Sequence, residues 1–140
     1  MTQTMTSTSR MIETNPSKPV VDGGTLAECI TACFACAQTC TACADACLGE
    51  QDPAKQARCI RLNLDCADIC LATGQVLSRQ TAFDATTARA ILQACATSCK
   101  QCGDVCQRHG DHGMEHCRVC AEACRRCEQA CIQMISALAA

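Results

Sequence analysis

A chain of 140 residues, 49% of them hydrophobic, is of the size of one domain with its own core. A formal net charge of −2 with both signs scattered supplies no basic patch for nucleic acid and no basic amphipathic face for lipid, so neither partner is expected. Eighteen cysteines dominate the composition, and because two phenylalanines are the only aromatics, Ala, Leu, Ile and Cys must fill the interior.

The first twenty residues, MTQTMTSTSRMIETNPSKPV, show no apolar core, paired arginines or cleavage site of an export signal. A cytoplasmic, soluble protein with reduced thiols is therefore expected, and no run is read as approaching the roughly 18 apolar residues of a membrane span. Residues 1–23, rich in Thr and Ser with Pro16 and Pro19, read as a flexible N-terminal arm with one weak turn around Arg10 to Thr14. Met1, Met5 and Met11 lie in that arm and are assigned no role. Residues 24–140 form the folded domain.

Its first helix is expected to start at a capping box, Thr25 to Glu28, and to end at Gly49. Along it Cys29, Cys33, Cys36, Cys40, Cys43 and Cys47 step by four and three, which places every thiol on one helical face. Asp52 as N-cap and Pro53 at the first helical position start the second helix, which runs to about Arg79 and carries Cys59, Cys66 and Cys70. In its gap, at the inward step, stands Asn63. Asp84 caps the third helix, with Cys95, Cys99, Cys102 and Cys106, which continues to about His109 and stops at Gly110. The fourth begins near Asp111 to Gly113 and carries Cys117, Cys120, Cys124, Cys127 and Cys131 to about Leu138. Helices of about 25 residues joined by short loops predict an all-α fold, an antiparallel up-down-up-down four-helix bundle preceded by the flexible arm.

Extending the stripes separates the two ends of this bundle. Leu26, Thr73, Leu77, Ile91 or Leu92, Met134 and Leu138 plug one end with hydrocarbon. At the other end the stripe of the third helix runs on to His109, Met114 stands three residues before Cys117, and His112 and His116 are close by. That end reads as a mouth.

Disulfides are disfavoured, because neighbours along a helical stripe have Cβ atoms about 5–6 Å apart, beyond the roughly 3.5–4.5 Å a disulfide takes. A bland core of thiols without a ligand role would be packed as well by Ala or Leu. Metal binding by thiolates is the stronger reading. Four-sulfur zinc sites would hold about four ions and leave roughly ten negative charges uncompensated in a dry core, whereas bridged Cu(I) can reach about one ion per thiolate and neutrality. Zinc buffering of metallothionein type and an iron–sulfur electron carrier are the alternatives. The C-x3-C-x2-C run at Cys29, Cys33 and Cys36 has a cluster-like spacing, yet that spacing is the helix period repeated. No acid–base constellation points to an enzyme. Of the histidines, His109 continues the beat of Cys102 and Cys106 and is favoured as a ligand; His112 and His116 stand as loop residues or ligands. Met114 reads as a cap on the core or a thioether ligand, and Asn63 as a carbonyl donor to metal or an inward amide hydrogen-bonded to a neighbour.

The four cysteine-lined helices with a histidine cluster at the third turn resemble the bacterial copper storage proteins, in their cytosolic branch, from roughly Thr25 to Leu138. The resemblance implies a four-helix bundle holding many Cu(I) ions through its eighteen cysteine thiolates, copper passing in at the histidine-bearing end, and association into a homotetramer. Copper donors and acceptors are then the expected partners. Small residues off the stripe of the first helix, Ala32, Ala35, Ala42 and Ala46, permit close approach of a neighbouring helix, within the bundle or across subunits.

Overall fold

The structure is a computed structural model and describes residues 6–139. The start of the arm, with Met1 and Met5, lies outside the described residues. All regular structure among the described residues is helical: α1 (Ser7–Thr14), α2 (Gly23–Leu48), a 3-10 turn (Pro53–Gln56), α3 (Ala57–Leu77), α4 (Ala85–Asp111) and α5 (Glu115–Ala139).

The arm expectation needs correction over α1. Thr6 caps this helix by accepting from the Ser9 N–H at 3.2 Å, and Ile12 is buried in the common core beside the first turn of α2. One apolar side chain with a cap suffices to dock a two-turn helix that composition alone marked as flexible.

The cap of α2 also differs from expectation. Asp22, not Thr25, is the N-cap; its carboxylate accepts from the Thr25 N–H at 3.0 Å. Pro53 opens a 3-10 turn, and Asp52 makes no side-chain cap, so α3 starts at Ala57. Asp84 caps α4 as expected, accepting from Thr86 and Thr87. Gly110 does not stop α4. It lies inside the helix, where a Cβ would come within 3.0 Å of the Arg118 backbone, so its bare Cα lets α4 and α5 approach closely at their shared turn. The chain reverses at Gly113, whose φ of 97° is the left-handed conformation that closes helix ends.

Each long helix packs against two others, α2 with α3 and α5, α4 with α3 and α5. Sulfur pairs show that neighbours run in opposite senses. Cys36 meets Cys124 while Cys43 meets Cys117, and Cys59 meets Cys106 while Cys70 meets Cys95. One further expectation fails: α2 is long and apolar enough, by length and composition, to cross a membrane. Cysteine and alanine count as apolar there, and all six of its cysteines are buried against the other helices.

Candidate metal centre

The three-and-four spacing does what helical geometry requires. All eighteen cysteines are free and buried, and Leu26, Leu77, Leu92 and Met134 are fully buried beyond them at one end. Sulfur atoms on facing helices stand 3.6–3.9 Å apart, as in Cys70 to Cys95 and Cys99 at 3.6 Å, Cys40 to Cys120 and Cys124 at 3.7 Å, Cys33 to Cys127 at 3.8 Å and Cys36 to Cys124 at 3.9 Å. These are contacts across which a metal could bind, well beyond the roughly 2.05 Å of a disulfide.

The sulfurs fall into groups of four whose atoms all lie within 4.8 Å of one another. These include Cys33, Cys95, Cys127, Cys131; Cys36, Cys70, Cys99, Cys127; Cys36, Cys40, Cys66, Cys124; and Cys40, Cys102, Cys120, Cys124. Members recur: Cys127 and Cys36 each join two groups, and Cys40 and Cys124 together join the last two. The donors therefore form one continuous column and not a set of separate cages. Shared sulfurs suit ions that accept bridging thiolates, and a column of them is not a row of isolated four-sulfur sites.

Thiol-to-thiol hydrogen bonds divide the column: cysteines that accept them are favoured as thiolates, whereas others, such as Cys33 and Cys99, are pushed up and held protonated. A thiolate accepting from neighbouring S–H groups is stabilised. Hydrogen bonds from Cys131 and Cys33 lower Cys29 to about 5, and those from Cys106 and Cys117 lower Cys59 to about 6. Cys43 is also lowered, through Cys106 and Cys117. Burial, with the Cys59 and Cys43 thiolates nearby, pushes Cys47 up to about 12.

Asn63 is fully buried at the gap in α3. Its Oδ1 accepts from Cys102 at 3.0 Å, Cys120 at 3.1 Å and Cys106 at 3.6 Å, while Nδ2 donates to Cys59 at 3.5 Å. The amide thus takes the place of a sulfur and joins three helices, its carbonyl aimed where a thiolate would otherwise stand.

At the mouth, His116 comes closest to the sulfurs. Its Nδ1 is 3.4 Å from Cys43 Sγ and 3.6 Å from Cys117 Sγ, and it shares a donor group with Cys43, Cys47 and Cys117. Its Nε2 is 3.0 Å from a Glu50 carboxylate oxygen. Burial disfavours the imidazolium, but the hydrogen bonds to Cys43 and Glu50 outweigh it and the histidine is raised. His109, favoured by the sequence, has its Nδ1 at 4.0 Å from Cys117. His112 is exposed and donates from Nδ1 to the Arg108 carbonyl at 2.6 Å. Met114 is partly buried against the core. The spacing from His116 to Cys120, four residues, was the signal that places His116 on the stripe; nothing in the sequence marks Glu50, which sits in the α2–α3 connection.

The copper storage protein family model matches residues 23–136, spanning every cysteine of this column. The chain belongs to the copper storage protein family. Among solved structures, this family member is similar to the copper storage protein from Streptomyces lividans loaded with 10 copper equivalents, with 53% identity and a TM-score of 0.90 over 94% of this chain and 99% of that one. A variant of the Streptomyces lividans protein with one histidine replaced by alanine shares 58% identity at a TM-score of 0.82, covering 84% and 98%. A cytosolic copper storage protein from Streptomyces lividans, carrying five coppers, shares 58% at 0.78, covering 81% and 93%. No curated protein matches the chain.

Proposed function

We propose that this copper storage family member sequesters Cu(I) in the cytosol, as a non-enzymatic store filled to roughly one ion per cysteine. The observation that carries the reading is the sharing of Cys36, Cys40, Cys124 and Cys127 between successive donor groups. Bridging thiolates each neutralise part of two monovalent ions, so charge can cancel along a buried column that divalent ions in separate cages would leave strongly negative. Each ion displaces thiol protons, so affinity rises with pH. The Streptomyces lividans protein carrying 10 copper equivalents supports a many-ion capacity, and the one described as cytosolic supports the compartment.

The storage unit in this reading is residues 24–140, an up-down-up-down four-helix bundle, on which the preceding segment docks through Ile12 of α1. All eighteen cysteines are its ligands. Asn63, His116 and His109 contribute where the sulfur column thins or opens, Met114 caps the mouth, and His112 stands at its rim, where copper passes to and from its carriers. The chain acts as a homotetramer, for which the exposed Ala42 and part-exposed Ala35 and Ala46 on the outside of α2 leave room.

Titrating the reduced protein with Cu(I) against a competing chelator tests the proposal. Uptake should continue to roughly one ion per cysteine. Saturation near four ions, with zinc bound in preference, would instead make the protein a zinc buffer.

A further inference from the structure

We propose that Glu50 is the positioning residue of the mouth: its carboxylate holds the His116 ring so that the Nδ1 lone pair faces copper passing between Cys43 and Cys117. The inference rests on the copper-storing reading above and adds to it a residue that binds no copper itself. A neutral imidazole carries one N–H, and the hydrogen bond made by one nitrogen decides what the other presents. His116 Nε2–H donates to a Glu50 carboxylate oxygen at 3.0 Å. That leaves Nδ1 as the acceptor, 3.4 Å from Cys43 Sγ and 3.6 Å from Cys117 Sγ, two sulfurs that are themselves 3.8 Å apart. An ion bridging these sulfurs therefore meets a nitrogen already turned toward it.

The placement of Glu50 supports this role. Its backbone N–H donates to the Cys47 carbonyl at 3.3 Å, so the carboxylate is mounted on the end of α2, the helix of Cys43 and Cys47, whereas His116 arrives on α5. The hydrogen bond thus sets the nitrogen of one helix against a sulfur of another. Its pairing is also distinct. Among the described residues, every other ion-paired carboxylate meets a Lys or Arg, and Glu50 meets only His116. The other two histidines have no such partner: His109 pairs with no carboxylate, and His112 engages its Nδ1 with the Arg108 carbonyl at 2.6 Å. A carboxylate behind a ligating histidine fixes tautomer and ring orientation, and its loss costs about 10–100-fold in metal affinity or activity.

Histidine labelled with 15N reports the tautomer directly, and the chain holds only 3 imidazoles. Spectra of the reduced, metal-free parent, Glu50→Gln and Glu50→Ala are recorded on the alkaline side of the imidazole titration, with helicity checked. The rate of Cu(I) uptake from a chelator donor is then measured for each. The parent should carry the His116 proton on Nε2, and Glu50→Gln, whose amide oxygen can accept the same bond, should keep it there with uptake near the parent rate. Glu50→Ala should move the His116 signals toward an average of the two tautomers and slow uptake by about 10–100-fold. The proposal is overturned if Glu50→Ala leaves the His116 signals unchanged, if it takes up copper as fast as the parent, or if Glu50→Gln falls as far as Glu50→Ala. The tautomer is read before any metal is added, so it fails or holds independently of the storage reading, which the capacity of the parent tests.

Discussion

The two ends of the helical array continue the same inward stripe and differ only in what occupies it. Where α2 and α4 begin, the positions beyond Cys29, Cys95 and Cys131 are Leu26, Leu92 and Met134, with Leu77 beside them, all fully buried. Where those helices finish, the positions beyond Cys43 and Cys117 meet His116, Glu50 and the tight turn at Gly113. One end holds the helices together by burying hydrocarbon, and its buried polar side chains, Thr73 and Gln80, donate to the backbone carbonyls of Ile69 and Leu77. The other offers the partly exposed nitrogen of His116 and the carboxylate of Glu50, so in the proposed reading metal passes at this end while the hydrocarbon end carries the stability of the metal-free protein.

The largest expected effect is that of the metal itself. A single ion held at 1,000 times its dissociation constant adds about 4.1 kcal/mol to stability, and 1 kcal/mol moves the melting temperature of a domain of this size by roughly 2–4 °C. Loading with several Cu(I) ions should therefore raise the Tm by at least on the order of 20 °C, as read by thermal circular dichroism. A smaller shift would mean that copper sits at the rim and not in the column.

Cutting into the hydrocarbon end should separate folding from storage. Leu92→Ala is expected to destabilise the metal-free protein by about 2–5 kcal/mol through the cavity it leaves, with Cu(I) capacity and uptake rate unchanged. Gly110→Ala, at the opposite end, pushes a Cβ to within 3.0 Å of the Arg118 backbone. It should cost about 1–3 kcal/mol by overpacking and also slow copper uptake, because it shifts the start of α5 that carries His116. Equal uptake by both variants would remove the distinction between the ends.

The smallest effect is in proton release. Cys59, lowered to about 6, is already a thiolate at pH 7.5 and gives up little on binding; Cys47, pushed up to about 12, gives up close to one proton. Affinity at groups containing Cys47 should thus climb with pH well past neutrality, while sites built on Cys59 level off above about pH 7. Cys47→Ala should lower the protons released during copper loading, measured in weakly buffered solution with a pH indicator. No change would show that Cys47 is not a ligand.

Much of this was legible in the cysteine spacing. Steps of three and four dictate a helix and a single face, and with so few aromatics that face had to be the interior. Asp84 could be read as a cap because its acceptor acts within three residues. What escaped depends on neighbours that the local pattern does not contain. Asp22 displaced Thr25 as N-cap because its carboxylate accepts from the Thr25 N–H at 3.0 Å, so the helix begins a turn earlier, across two glycines. Gly110 resembles a stop, yet here it serves a close approach by Arg118. His109 outranked His116 by its place on the α4 stripe, whereas the turn at Gly113 brings the α5 histidine nearer the sulfurs. Glu50 carries no sequence signal, since its role comes from a histidine 66 residues away.

X-ray absorption at the copper edge of the fully loaded, reduced protein tests the central claim most directly, because shared sulfurs force neighbouring ions close together. Predominantly sulfur coordination at two or three ligands per copper, together with a short copper–copper vector, is the predicted result. Copper in isolated sites, with no copper–copper scattering at full loading, would contradict a bridged column.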